Sequence, residues 1–127
     1  MYEVLRALKN SGLFASVKIT KLTDEEVVRF FKIRADVLDG SILYITEMHT
    51  ESYQKYSYHW QEPDGVLIMR WDNKPHWKDI KTFPHHKHIG STIQPCHRVT
   101  LEEVLTEIKK RLKQGPFSKR FLVAEGH

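Results

Sequence analysis

The chain has 127 residues, of which 40% are hydrophobic and 28% are charged, a composition typical of one folded domain spanning residues 1–127. This composition excludes an intrinsically disordered chain, and no run approaches the roughly 20 apolar residues that span a membrane. Lysine and arginine outnumber aspartate and glutamate by 20 to 16, and the resulting net charge of +4 permits nucleic-acid binding without demanding it.

We expect a cytoplasmic protein without disulfides and without a membrane partner. Cys96 is the single cysteine, so it cannot form an internal disulfide and cannot by itself build a zinc site. Charged residues Glu3, Arg6 and Lys9 interrupt the first apolar residues, unlike the apolar core of a secretory leader.

The first two elements are predicted to be a short helix and a strand. Apolar residues recur at helical spacing within residues 2–10, and the run Asn10-Ser11-Gly12 is a helix stop. From Phe14 to Thr20, apolar and polar residues alternate as in a strand with one buried face.

Asp39-Gly40 predicts a β-hairpin between two strand-like runs, because Asp-Gly is a favoured two-residue loop. A two-residue loop pairs Ala35 with Tyr44 on the buried face. It also places Lys32 opposite Glu47 on the other face, where opposite charges attract across the strands.

Pro63-Asp64-Gly65 predicts a second hairpin but leaves its register open. A two-residue loop pairs His59 with Arg70, whereas a three-residue loop with a glycine bulge pairs Tyr58 with Arg70. Pro63 at the first loop position favours the bulged loop. Because a slip of one residue exchanges the two faces, the sequence does not decide whether Tyr58 or His59 shares a face with Arg70.

The last third of the chain is predicted to be a long loop followed by a helix. Residues 73–95 have weak periodicity and are punctuated by proline and glycine, with a turn of helix at 77–81. Thr100 and Glu103 form a capping box that begins an amphipathic helix over about residues 100–114, which Gly115-Pro116 closes.

These elements predict an α+β fold. An antiparallel meander of four to five strands forms one sheet. An N-terminal helix and a C-terminal amphipathic helix cover one of its faces.

The segment from Tyr53 to Gly90 concentrates side chains that can move protons and bind phosphate. It holds five of the eight histidines and all three tryptophans. Histidine titrates near neutral pH, and the planar fork of Arg70 matches phosphate oxygens. We interpret the segment as a site for a phosphate-bearing partner.

Three motifs in and around this segment resemble a known family of small prokaryotic proteins. They read Tyr-Ser-Tyr-His-Trp at 56–60, Arg-Trp-Asp-Asn-Lys-Pro-His at 70–76 and Phe-Pro-His-His-Lys-His at 83–88, and a leucine-rich helix follows. Over roughly residues 27–113 the chain resembles the TumE-like family. One departure is Trp77, which stands where a second histidine is common in that family.

The resemblance implies the toxin of a type II toxin–antitoxin pair, neutralised by a small helix-turn-helix antitoxin. Several such toxins are ribonucleases with folds of the RelE and barnase kind. By analogy, the resemblance implies a metal-independent endoribonuclease that acts on RNA and uses no cofactor. A homodimer is left open.

Such a ribonuclease needs a base for the ribose 2′-hydroxyl, an acid for the leaving 5′-oxygen and cations at the phosphate. The candidate catalytic residues are Arg70, His85, His86, His88 and Tyr58. The residues expected to contact the substrate are Lys55, Tyr56, His59, Asp72, His76 and Lys87.

Several of these residues have structural alternatives. Tyr56 and Tyr58 could be core aromatics instead of platforms for bases, and Arg70 with Asp72 could only anchor the following loop. The basic residues around 109–120 could form a solvated helix face, a surface that tracks RNA or a docking site for the antitoxin.

Two other functions also fit the sequence. The first is a non-catalytic module that binds nucleic acid or a protein partner through the same basic and aromatic surface. The second is a metal-dependent hydrolase with its metal on His76, His85 and His88, although a resident metal is not our prediction.

Overall fold

The computed structural model describes residues 1–125, and the side chains of residues 1–114. Each strand pairs antiparallel with the next, which makes one seven-stranded meander in sequential order. The α+β class with an N-terminal and a C-terminal helix is confirmed, but the expected four to five strands are too few. The elements are α1 Tyr2–Asn10, β1 Phe14–Asp24, β2 Val28–Val37, β3 Ile42–Thr50, β4 Gln54–Gln61, β5 Leu67–Asp72, β6 His86–Ile89, β7 Thr92–Pro95 and α2 Leu101–Glu125.

Strands β6 and β7 form a hairpin inside the stretch that was predicted to be a loop. Gly90 has φ +58°, which suits the first position of a two-residue type II′ loop between Ile89 and Thr92. A Gly-Ser pair between short runs is a hairpin pattern, but the surrounding prolines hid it. The irregular segment is therefore only residues 73–85, which form turns without the helical turn expected at 77–81.

The register of the β2–β3 hairpin differs by one residue from the prediction. Ala35 pairs with Leu43 and not with Tyr44. The loop has three residues instead of two, with Gly40 at φ +91°, a conformation that glycine adopts without strain. Tyr44 therefore lies on the face opposite to Ala35.

The same shift separates Glu47 from Lys32. Glu47 pairs with Phe31, so its side chain lies on the face that carries the core, and its carboxylate is 3.2 Å from His49 Nε2. Lys32 pairs with Thr46 on the other face. The predicted Lys32–Glu47 charge pair is therefore wrong.

The β4–β5 hairpin has the loop of one predicted alternative and the strand register of the other. Its loop is the three-residue Pro63–Gly65, but Ile68 forms a bulge that adds one residue to β5. Beyond the bulge, His59 pairs with Arg70, as a two-residue loop would have required. His59, and not Tyr58, shares a face with Arg70.

The two helices and the loop before α2 cover one face of the sheet. Leu8 of α1 and Val104 and Ile108 of α2 are fully buried in the core. They pack with alternate residues of β2 to β5, which are Phe31, Ile33, Ala35, Val37, Leu43, Ile45, Tyr56, Tyr58, Trp60 and Trp71. Among the described residues, no helix packs on the other face of the sheet, which is the open face.

Helix α2 begins as predicted and ends later. The N–H of Glu103 donates to Thr100 Oγ1 over 3.2 Å, which confirms half of the expected capping box. The helix continues through Gly115-Pro116 to Glu125, so the predicted end at 114 is wrong. The basic side chains beyond 114 lie outside the described side chains. Within the described residues, neither helix is long and apolar enough to span a membrane.

Candidate functional site

The open face of the sheet forms a groove of about 530 Å³ across β2 to β5. Strand side chains alternate, so the residues between the buried aromatics of β4 project into this groove. Among the described residues, no carboxylate lines it. The lining residues whose basic or aromatic side chains lie on the open face are Lys32, Lys55, His59, Arg70, Lys74, Phe30 and Tyr44, whereas Tyr56 lines the groove from a strand position whose side chain is in the core.

Arg70 lies at the β5 side of the groove, between His59 on β4 and His88 on β6, which are its direct cross-strand partners. One terminal guanidinium nitrogen of Arg70 donates to His59 Nδ1 over 3.0 Å. This bond leaves the proton of neutral His59 on Nε2, which lies 3.1 Å from Gln61 Oε1. Burial and the charge of Arg70 lower the pKa of His59, so its ring is neutral at pH 7.

Asp72 holds the Arg70 guanidinium through Nε, whereas His59 bonds one of its terminal nitrogens. Its carboxylate is fully buried and accepts hydrogen bonds from Arg70 Nε at 2.8 Å and from the N–H of Lys74 at 2.9 Å. Burial raises the pKa of Asp72, but these bonds outweigh it and leave the pKa below its ordinary value. Asp72 is therefore an ionised group beneath the open face.

His86 and His88 lie beside Asp72 on the same face. His86 Nε2 is 3.0 Å from Asp72 Oδ1, and His88 Nε2 is 3.6 Å from Asp72 Oδ2. His86 is buried, whereas His88 is partly exposed. Burial lowers the pKa of His88, although the charge of Asp72 opposes this shift. Trp77 contacts both rings edge-on, with centroids 6.4 Å from each.

In the part of the chain that the structure describes, Asp72, His86 and His88 are the one group of side chains arranged to hold a metal ion. His76 and His85, which the sequence grouped with His88 as an alternative metal set, are not part of it.

A second polar cluster lies on the helix-covered side of the sheet. The Tyr56 hydroxyl is 2.9 Å from His85 Nδ1, and the Arg98 guanidinium lies 4.5 Å from the centre of the Tyr56 ring. Burial raises the pKa of Tyr56 to about 12 and the pKa of Tyr58 further, so both phenols are neutral. The sheet separates Tyr56 and Tyr58 from the groove that contains Arg70.

The structure therefore divides the predicted site residues, apart from His76, into two sets. The open face carries Lys55, His59, Arg70, Asp72, His86 and His88. The helix-covered side carries Tyr56, Tyr58, His85 and Lys87, and His76 is exposed in the segment 73–85.

Three residues that the sequence reasoning did not select also belong to these surfaces. Lys32 was assigned to a charge pair by the wrong register, and Lys74 was overlooked beside Asp72. The correct three-residue loop at Gly40 would have placed Thr46, and not Glu47, opposite Lys32. Arg98 reaches Tyr56 only through the tertiary fold, and no local pattern predicts that contact.

A family model described as Toxin TumE matches residues 4–112. No curated protein and no solved structure matches the chain, so a likeness to RelE or barnase stays a prediction. The matched range covers most of the chain, including all three motifs and the open-face groove. The chain belongs to the toxin TumE family.

Proposed function

We propose that this toxin-family protein is an endoribonuclease that binds RNA in the open-face groove and cleaves it without a metal ion. The observation that supports the proposal is the row His59–Arg70–His88. These side chains come from three adjacent strands; His59 and Arg70 line the groove, and His88 lies next to Arg70 on β6. The row offers two proton-transfer groups on either side of a phosphate-binding fork.

The groove favours a single-stranded polyanion as substrate. Exposed Lys32, Lys55 and Lys74 distribute positive charge along it, as binding to several phosphates requires. Phe30 and Tyr44 present partly exposed rings on the same face, where unpaired bases could stack. The groove spans four strands, or about 15 Å at ~4.8 Å per strand, which is longer than one phosphate.

In the proposed reaction, a substrate phosphate replaces His59 as the partner of the Arg70 guanidinium. The freed Nδ1 of neutral His59 accepts the proton of the ribose 2′-hydroxyl. The 2′-oxygen then forms a bond to phosphorus while the bond from phosphorus to the 5′-oxygen breaks. Arg70 stabilises the charge on the phosphate oxygens.

His88 is the proposed acid. It lies on the other side of Arg70 from His59, and adjacent strands are ~4.8 Å apart, so the two histidines flank a phosphate held by Arg70. Burial lowers the pKa of His88 and the charge of Asp72 opposes this shift, so the imidazolium form that protonates the 5′-oxygen in this proposal is the minor form at pH 7 and depends on Asp72. The products are a 2′,3′-cyclic phosphate and a free 5′-hydroxyl.

We leave Tyr58, Tyr56 and His85 out of the reaction. They lie on the helix-covered side, where the sheet separates them from Arg70. The neutralising partner in this proposal is an antitoxin, since the family is one of toxins, and we propose the helix-turn-helix type.

The test is cleavage of a labelled mixed-sequence RNA in chelator by the parent protein and by Arg70→Ala and Arg70→Lys. We expect the alanine variant to lose about 10²- to 10³-fold in rate and the lysine variant to recover little, because the charge without the fork does not orient the phosphate. Arg29→Ala is the matched control, since Arg29 is exposed at the other end of the sheet.

Circular dichroism establishes that each variant is folded. Parent-level cleavage by a folded Arg70→Ala protein would remove Arg70 from the site. Absence of cleavage by the folded parent would favour a non-catalytic RNA- or protein-binding module.

A further inference from the structure

We infer that Asp72, His86 and His88 form a binding site for a divalent first-row transition metal ion. All three side chains project from the open face, where Asp72 pairs with His86 across β5 and β6. His86 and His88 are two residues apart on one strand, so their rings lie on the same face. Their centroids are 4.9 Å apart.

The distances from the two histidines to Asp72 fit one ion. His86 Nε2 and Asp72 Oδ1 are 3.0 Å apart, and His88 Nε2 and Asp72 Oδ2 are 3.6 Å apart. Atoms bonded at about 2.0–2.2 Å to one zinc ion are separated by about 3–3.5 Å. The two contacts with Asp72 are therefore close to the separation of ligand atoms on one ion, and one ligand atom from each of the three residues lies within 4.8 Å of the others.

The hydrogen bonding of His86 independently indicates a cation at this site. Its Nδ1 is 2.9 Å from the carbonyl oxygen of Pro84 and must donate to it, so Nε2 of the neutral ring carries a lone pair. That nitrogen is buried, faces the Asp72 carboxylate and has no hydrogen bond. Two lone pairs that face each other in a buried site cost free energy unless a cation lies between them.

The direction of these lone pairs favours a metal ion over a proton. A proton shared by His86 and Asp72 would need the nitrogen, hydrogen and oxygen to lie nearly in line, and the 3.0 Å contact does not meet hydrogen-bond geometry. Lone pairs of two ligands on one metal converge instead at a point off the line that joins the donor atoms.

Further contacts orient the three ligands. Arg70 Nε and the N–H of Lys74 each bond one oxygen of Asp72 and leave other lone pairs of the carboxylate free. The Pro84 carbonyl holds the His86 ring through Nδ1, as outer partners of metal-bound histidines commonly do. Trp77 covers both rings.

The donor set indicates the class of metal. Two imidazoles and one carboxylate suit zinc and neighbouring divalent ions, and three protein ligands leave coordination positions for water. The positive charge of Arg70 opposes the cation, so we expect weaker binding than at a site without an adjacent arginine.

A consequence for regulation rests on the proposed function. While His88 binds the metal through Nε2, it cannot take up a second ring proton, so the imidazolium acid of the proposed reaction does not form. The metal would therefore inhibit the metal-free cleavage proposed above. Metal binding itself does not depend on that proposal.

The experiment is a titration of chelator-stripped, full-length protein with Zn²⁺ by calorimetry and with Co²⁺ by visible absorption, which reports the ligand field. We expect one ion per chain and Co²⁺ bands of a nitrogen–oxygen site. His86→Ala and His88→Ala should each weaken binding by at least about 100-fold. The control is His97→Ala, which changes an exposed histidine outside the site and should bind as the parent does.

No binding by the parent, or equal binding by parent and folded His88→Ala, would overturn the site. Because His88 is partly exposed, His88→Ala is the variant expected to fold. It tests the metal site even if His86→Ala does not fold. RNA cleavage with and without Zn²⁺ is measured separately. Cleavage that requires Zn²⁺ would overturn the inhibition and the metal-free chemistry, while an absence of cleavage under both conditions would overturn only the proposed function.

Discussion

Tyr58 and His59 are adjacent in the chain but face opposite sides of the sheet. Tyr58 is buried beneath the helices, and burial raises the pKa of its phenol. His59 lies in the groove and bonds Arg70, and burial together with this positive charge lowers the pKa of its ring. A shift of one residue in the β4–β5 register would have exchanged these environments.

We predict that His59 titrates below its ordinary pKa of 6.5 and that Arg70→Ala moves the pKa upward, because the adjacent charge is removed. The measurement is the chemical shift of the His59 ring against pH by NMR. Since the folded state lowers the pKa, neutral His59 contributes stability above pH 6.5, and this contribution is lost as pH falls through the folded-state pKa. An unchanged pKa in Arg70→Ala would contradict the proposed coupling.

At the scale of elements, Arg111 connects α2 to the loops of two hairpins. One of its terminal nitrogens donates to both carboxylate oxygens of Glu62, at 2.6 and 2.8 Å. Its Nε is 3.4 Å from Asp39 Oδ2, a buried atom without a hydrogen bond. The guanidinium also lies over Trp60, 5.6 Å from the ring centre. These contacts fix α2 against the sheet.

Arg111→Ala should lower the free energy of unfolding by about 2 kcal/mol, because it leaves the nearly buried Asp39 carboxylate without a cation. Urea denaturation measures the change. Lys110→Ala is the matched control on the same helix, since its pair with Glu107 is exposed and should contribute less than about 0.5 kcal/mol. Similar losses in the two variants would contradict the role given to Arg111.

For the whole molecule, the distribution of charge matters more than the net value of +4. In the part of the chain that the structure describes, one face of the sheet carries no helix, and the cations of β2, β4 and the segment after β5 meet there. Asp72, the acid closest to Arg70, is buried and already bonded. The open face is therefore a positive surface on a protein with nearly balanced charge.

We predict that Lys32→Ala combined with Lys55→Ala weakens RNA binding and lowers the slope of log affinity against log salt by about 1.4, since each lost contact to a single strand contributes ~0.7. Lys9→Ala combined with Lys109→Ala removes the same charge from α1 and α2 and should leave the slope almost unchanged. Fluorescence anisotropy with a labelled single-stranded RNA measures both. Equal slopes for the two double variants would place RNA elsewhere.

The sequence predicted which residues belong to much of the candidate site, but not which strand or which face of the sheet carries them. The sequence identified Arg70, Asp72 and the histidines at 86 and 88 from their chemistry and motifs. It placed the histidines in a loop, because prolines obscured the Gly-Ser turn that makes them part of a strand. It grouped Tyr58 with Arg70, although the sheet lies between them.

The sequence by itself determined the α+β class, the hairpins at Gly40 and Gly65 and the start of the last helix, because turn and capping chemistry acts between near neighbours in the chain. Only the tertiary structure decided which side chains share a face. That choice depends on a three-residue loop, on the bulge at Ile68 and on strand pairing across the segment 73–85. The loop and the bulge each shift the strand register by one residue. A shift of one residue moves every side chain of the strand to the opposite face of the sheet.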